Sequence, residues 1–417
     1  MPKQQEDPLL SLLHSSQGTS SSLQTLGNIV VSIVGTGVLG LPFAFRVAGW
    51  LAASIGVTIA AASTYYCMIL LVNTRDVLVN NNRDEELTES NTYGDLGAKA
   101  LGTPGRYLTE LLILVSQSGG AVAYLLFIAH NLYSLFHGPH GMTYSSFLFL
   151  LVPLQIALSF IRSLSALSPF SALADVCNLL AIAIVLKEDL HLFVGGFGRT
   201  SALTGLRDLP FAAGMAVFCF EGFGLTLSLE GSMKERRRFR KVLLAAIACI
   251  TAIYLFFGFF GYMAYGEETK DMITLNLPNN WSSIAVKTGL CIALTFTFPI
   301  MMHPIHEIVE AKLERSFLFH KLCCNSHFAR IFFLNTSRAI SVLALTIVAS
   351  FVPAFGTFVS LVGSTVCALL SFVLPATFHY LLTAGSSPTW QRALDVAIVL
   401  LGLAFAAHGT YTTISRS

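Results

Sequence analysis

After residue 23 the chain alternates long apolar runs with short polar connections. The runs fall at 25–48, 51–73, 107–136, 143–162, 167–187, 210–232, 241–265, 282–308, 331–351, 354–381 and 390–413. Each is near or above the ~20 residues that a helix needs to cross a bilayer. The pattern predicts an all-α integral membrane protein with eleven transmembrane helices. Residues 1–23 are polar and rich in Ser and Gln. They lack the basic start and apolar core of a signal peptide and read as a disordered tail. Within them, EDPLLSLL approximates an acidic dileucine sorting signal with imperfect spacing. The loop 74–106 is polar and partly amphipathic.

Composition agrees with the pattern: 54% of residues are hydrophobic and 12% charged, against ~25% charged in soluble domains. Most Cys residues lie inside apolar runs, and Cys323-Cys324 lie in a basic loop. No spacing suggests disulfides or zinc, so they read as packing thiols. The net charge of +2 says little about partners, and nothing points to nucleic acid.

Lys and Arg set the orientation. With the N-terminus cytoplasmic, only Arg46, Lys187, Arg199, Arg207, Lys270, Lys287 and Arg416 of the 25 fall on the other side. The C-terminus is then non-cytoplasmic. The run KERRRFRK after segment six, residues 234–241, anchors this topology. Anionic lipid head groups are a second reading of the same run.

Segments one and six carry poor helix formers in their middles. Segment one contains Gly35-Thr36-Gly37, with Gly40 and Pro42 close behind. Segment six contains Phe220-Glu221-Gly222-Phe223-Gly224. The two are five segments apart, and an odd number per repeat inverts the second repeat in the membrane. Paired interruptions at matching places in inverted halves point to the binding site of a secondary transporter. Unwound backbone survives at mid-membrane only where it lines a cavity or is buried in protein. There, the N–H groups opening a second half-helix bind an anion and the carbonyls closing the first bind a cation. An amino acid zwitterion carries both groups on one carbon. The competing explanation is close helix packing, which small residues also serve. Two interruptions at repeat-related positions, one with an acid, favour the break.

The stretches IVGTGVLGLPFAFRVAGW and FCFEGFGLTLSLEGSMK resemble the amino acid/auxin permease family, within the amino acid–polyamine–organocation superfamily. Proton-assisted small amino acid transporters and plant vacuolar neutral amino acid transporters are the most similar branch. VSQSGGAVAYLLFIAHNL, IRSLSALSPFSALAD, HPIHEIVE and SLVGSTVCALLSFVLPATF extend the resemblance over residues 24 to 380. It implies a leucine-transporter-like fold of two inverted five-helix repeats, 24–188 and 189–381, plus an eleventh helix in 382–417. Two positions depart from the family. Sodium-coupled relatives carry Asn where Val31 stands, four residues before the first glycine. The proton-assisted branch carries His where Asn28 stands.

On this reading Gly35, Thr36, Gly37 and Val38 present N–H groups to the substrate carboxylate. Val31, Ser32 and Ile33, with Phe218, Cys219 and Phe220, present carbonyls to its amine. Gly222 and Phe223 complete the second break, and Tyr124 of segment three closes over substrate, with packing as its plainer role. Glu221 is an intramembrane carboxyl, which costs ~2.5–3.5 kcal/mol to insert and is functional by default. It either carries a proton or caps the broken helix. Asp175, deep in segment five, is the other candidate for proton coupling or is a satisfied polar contact. Glu230 reads as a helix-end contact. Thr295 and Thr297 read as remnants of an ion site or as helix hydrogen bonds. His303, His306 and Glu307 read as interfacial polar residues rather than a metal set.

The expected function is secondary active transport of small neutral amino acids, driven by protons as the coupling ion, with no cofactor. Vacuolar or lysosomal export to the cytosol fits the family branch, with the plasma membrane as the alternative. A membrane amino acid sensor, and a sodium-coupled or cationic amino acid carrier, stay open. No nucleophile elbow, metal set or paired acids at one depth supports an enzyme.

Overall fold

The computed structural model describes residues 20–81, 92–136, 143–162, 176–190, 200–278, 280–316, 319, 327–352, 354–385 and 387–416. The tail through residue 19 and Asp175 lie outside the described residues.

The described elements are helical apart from one isolated backbone bridge, between Ser20 and Met233. Segment one is made of α1 (Ser22–Ile33), a 3-10 turn (Thr36–Gly40) and α2 (Leu41–Ala48). α1 and the helical stretch Thr36–Ala48 are bent by 49° from one another. Next come α3 (Trp50–Asn81), α4 (Tyr93–Leu135), α5 (Tyr144–Ser159) and a helix over 176–190, α6. Segment six is α7 (Leu209–Cys219) and α8 (Phe223–Gly231). The chain ends with α9 (Phe239–Tyr265), α10 (Trp281–Glu314), α11 (His327–Ser350), α12 (Phe355–Leu382) and α13 (Thr389–Arg416). Among the described residues eight helices are long and apolar enough to cross a membrane, or nine if the bent pair counts as one span.

Local chemistry explains several boundaries. Ser21 opens α1 with a capping box: its hydroxyl accepts from the Gln24 N–H, and the Gln24 side chain accepts from the Ser21 N–H. Helix therefore begins inside the stretch read as the end of the tail, and Ser20 pairs with Ser232 and Lys234. A second capping box, Thr92 with Asp95, starts α4 well before the apolar run at 107. Gly102 has φ 71°, and Pro104 follows it. That left-handed residue and the proline turn an amphipathic helix into the membrane segment within one element. Residues 93–101, expected in a polar loop, are held by tertiary contact: the Tyr93 hydroxyl donates to the Leu370 carbonyl at 2.6 Å.

Small residues let helix backbones touch. A Cβ on Gly363 would lie 1.9 Å from the Gly214 carbonyl oxygen, so α7 and α12 meet backbone to backbone. α12 is not a regular α-helix. It carries π-helical turns at Gly363–Cys367 and Leu369–Val373, beside that contact.

Glu230, expected as a helix-end contact, makes a buried ion pair with Arg75 that ties α8 to α3, and Arg75 also reaches Asp76. Removing one partner of such a pair would strand a buried charge. Elsewhere, Arg338 of α11 reaches Glu310 of α10 at 2.6 Å and the Ser159 carbonyl of α5. At the opposite ends of the helices, the loop 266–278 folds inward. Its Met272, Ile273 and Thr274 are fully buried, and Ile273–Leu275 pack against the 3-10 turn of segment one and against α4. Arg46 of α2 holds this loop by donating to the Thr269 carbonyl at 2.7 Å.

Candidate functional site

The interruptions of segments one and six meet. A Cβ on Gly37 would lie 2.9 Å from Cys219 Sγ and 3.3 Å from Phe218 Cδ1. A Cβ on Gly222 would lie 2.9 Å from Ile33 Cγ1. Each glycine thus admits a side chain from the other interruption.

In α1 the Val34 N–H makes the last regular bond, to the Val30 carbonyl, and the Gly35 N–H turns to Ile33 instead. The carbonyls of Val31 and Ser32 lie beyond that last regular donor. The Val31 side chain is 41% exposed, and the Ser32 hydroxyl donates to Ile29. Thr36, Gly37 and Val38 are buried, and the N–H groups of Thr36 and Gly37 open the 3-10 turn, where helix geometry supplies no partner. The Val38 N–H bonds to the Gly35 carbonyl. In segment six, the Phe220 N–H returns to Ala216 and Val217 and the Glu221 N–H to Phe218. Gly222 then opens α8 without a side-chain cap. Each interruption therefore brings the closing carbonyls of one helix beside the opening N–H groups of the next.

The structure adds Tyr254 of α9, which is fully buried. Its hydroxyl lies 2.7 Å from the Cys219 carbonyl and 3.2 Å from the Ile33 carbonyl. One side chain thus ties the closing ends of both first half-helices, and its ring packs on Phe220 at 5.0 Å between centroids. Tyr254 lies in ITAIYLFFGFFGYMAY, one of several tyrosines in an aromatic helix. The usable signal was that a buried tyrosine hydroxyl needs a partner.

Phe220 and Phe223 are buried. Tyr124 of α4 is also buried, and its hydroxyl would be 3.7 Å from a Cβ on Gly35, so the ring stands over the opening of the 3-10 turn. Glu221 does not cap α8. Its carboxyl faces the Ser116 hydroxyl of α4, and its Oε1 is buried without a hydrogen-bond partner. Cys367, in the first π turn of α12, lies 3.7 Å from the same Ser116 hydroxyl. π turns recur at functional sites, and this one borders the carboxyl. Thr295 and Thr297 donate to carbonyls four residues back in α10. His303 lies 3.7 Å from Glu307, and His306 is buried.

Two fully buried carboxyls were not singled out in the sequence. Asp189 ends α6 and faces Tyr265. Asp395 of α13 bonds His379 of α12 at 2.6 Å. A separate apolar cleft of about 280 Å³ lies between α2, α3 and α7, lined by Ala44, Ala48, Ala52, Gly56 and Ala212 among others. Its lining residues are all apolar, so it offers no side chain suited to a zwitterion.

Residues 18–415 match the family described as transmembrane amino acid transporter protein. The chain belongs to the transmembrane amino acid transporter family. It is 55% identical over 403 residues to amino acid transporter ANT1 of Arabidopsis thaliana, covering 95% of this chain and 92% of that one. It is 28% identical over 406 residues to vacuolar amino acid transporter 3 of Saccharomyces cerevisiae, covering 95% of this chain and 56% of that one. Among solved structures, Mhp1 in its inward-facing conformation superposes with a TM-score of 0.59 at 11% identity, covering 96% of this chain and 90% of that one. That likeness establishes the leucine-transporter type of fold. This member of the family is a multi-pass membrane transporter of amino acids, not an enzyme.

Proposed function

We propose that the chain is a secondary active transporter of small neutral amino acids, coupled to protons, which exports them from an acidic vacuolar or lysosomal lumen to the cytosol. In this reading eleven helices cross the membrane, the N-terminus is cytoplasmic, and 24–188 and 189–381 are inverted five-helix repeats followed by an eleventh helix. Segments one and six are broken at mid-depth. The observation that carries the reading is the convergence of the two interruptions: Gly37 against Cys219 and Phe218, Gly222 against Ile33, with the Glu221 carboxyl alongside.

The N–H groups at Thr36 and Gly37 take the carboxylate, and carbonyls of Val31, Ser32 and Phe220 take the amine. Phe220, Phe223 and Tyr124 border the interruptions, and these buried aromatic side chains suit a small neutral substrate better than an acidic one. Val31 and Asn28 stand where relatives carry a sodium ligand and a titrating histidine. Proton coupling then falls to a carboxyl. Glu221 is favoured because it lies at the break, and Asp175 is the second candidate. The vacuolar assignment is supported by the vacuolar name of the yeast relative.

The test uses reconstituted vesicles with Glu221→Gln and Asp175→Asn, each assayed for uptake driven by a pH gradient and for exchange without one. The carrier's variant loses driven uptake, by at least ~10-fold, and keeps exchange. If both variants still concentrate alanine on a pH gradient alone, neither acid is the carrier and the coupling scheme fails. Absence of any counted uptake by wild type would favour a sensor instead.

A further inference from the structure

Lys287 has no role in the site described above. It lies in the second turn of α10 and is 4% exposed, in the seam where α10 packs on α4. Its Nζ donates to Ser134 Oγ of α4 at 3.0 Å. Among the described residues no carboxylate lies within ion-pair distance of it, and the titratable groups acting on it are Lys270 and Cys291. An ammonium buried with one hydroxyl is costly unless a counter-charge is present. One turn earlier on the same face, Ser283 is 2% exposed, and its Oγ has no hydrogen-bond partner. Buried polar atoms in this condition call for an ion or water.

We infer that Lys287, Ser134 and Ser283 form a binding site for one small inorganic anion of the halide class, at the α4–α10 seam. The donor count fits. The ammonium has three N–H groups, of which Ser134 uses one. Ser134, accepting from Lys287, keeps its own O–H to donate, and Ser283 Oγ has its O–H free. The opening turns of α10 contribute a favourable dipole, and Lys270 adds positive potential from the neighbouring loop. Burial argues against a lipid phosphate, which would need an exposed ammonium. A set of three buried donors with little exposure suits a small ion better than a bulky one, and the small ion is the occupant.

The test is binding to the full-length protein in detergent, read as thermal unfolding while chloride replaces gluconate at fixed ionic strength. Wild type shows a saturable upward shift in Tm. Lys287→Met keeps the apolar stem and deletes the charge, so it loses the shift. If that variant does not fold, Ser283→Ala serves, with an expected ~10-fold weaker half-saturation from loss of a bond to a charged group. Glycine titrated in place of chloride produces no competition if the site is for a halide. A wild type indifferent to chloride, unchanged saturation in the variants, or displacement of chloride by glycine would each overturn the assignment. None of these readouts depends on proton coupling or on Glu221.

Discussion

Gly37 gives the sharpest test of the two interruptions as one site. A Cβ there would meet Cys219 Sγ at 2.9 Å, Phe218 Cδ1 at 3.3 Å and the Cys219 backbone at 3.5 Å. The first distance is shorter than real Cβ neighbours stand, so Gly37→Ala forces segment one and segment six apart or turns Cys219 off its rotamer. Overpacking of this kind costs ~1–3 kcal/mol, and 1.4 kcal/mol is a factor of ten. Alanine, which meets the end of a short side chain, belongs at the low end, with uptake kcat/KM down ~5–10-fold. Gly37→Val adds two methyl groups in the same place and should lower it ~10-fold or more, with protein still reaching the membrane. The rescue is specific. Cys219→Ala removes Sγ, and the backbone behind it is at ordinary van der Waals distance, so Gly37→Ala with Cys219→Ala should recover most of the loss. A double-mutant cycle in reconstituted vesicles, normalised to protein present, measures the coupling. Gly224 controls for glycine loss as such: a Cβ there meets nothing within 4 Å, so Gly224→Ala leaves transport near wild type. Wild-type transport by Gly37→Val, or additive losses in the cycle, would show that the two stretches do not recognise substrate together.

Tyr254→Phe keeps the ring on Phe220 and deletes the donor to two buried carbonyls; stranding them costs ~1–3 kcal/mol, so alanine affinity should weaken ~5–100-fold, and unchanged affinity in equilibrium binding would remove Tyr254 from the site. Asn280-Trp281-Ser282 and Asn335-Thr336-Ser337 are glycosylation sequons on opposite sides of the proposed topology. Asn280 also caps α10 by accepting from the Ser283 N–H, and Asn335 accepts from Arg162. Peptide mapping after expression in a glycosylating host should find glycan on Asn280 alone, and a glycan on Asn335 would reverse the orientation.

Much of the architecture was readable because membrane helices announce themselves by length and hydropathy. The interruptions were readable because glycine, proline and an acid are conspicuous in such runs. What they touch was not. Hydrophobic periodicity cannot say which tyrosine of an aromatic helix reaches a helix end, so Tyr254 stays one of several whose buried hydroxyl would need a partner. The same holds for Ser116, an ordinary small residue until α4 places it against Glu221. Arg75 and Glu230 are far apart in the chain, and only packing shows that an apparent helix-end acid is a buried ion pair. Residues 93–101 read as loop because they are too polar to span a bilayer, yet Tyr93 and a capping box make them helix. The π turns of α12 left no mark in the sequence, since the apolar run there continues unbroken across them.

Tyr254 holds one hydroxyl proton between two carbonyls. The shorter distance, 2.7 Å, is to Cys219, and the longer, 3.2 Å, is to Ile33. The proton can point at only one of them in full strength, so the ends of α1 and α7 compete for it. A swing that draws one end closer lets the other go, and the tie is handed over instead of broken.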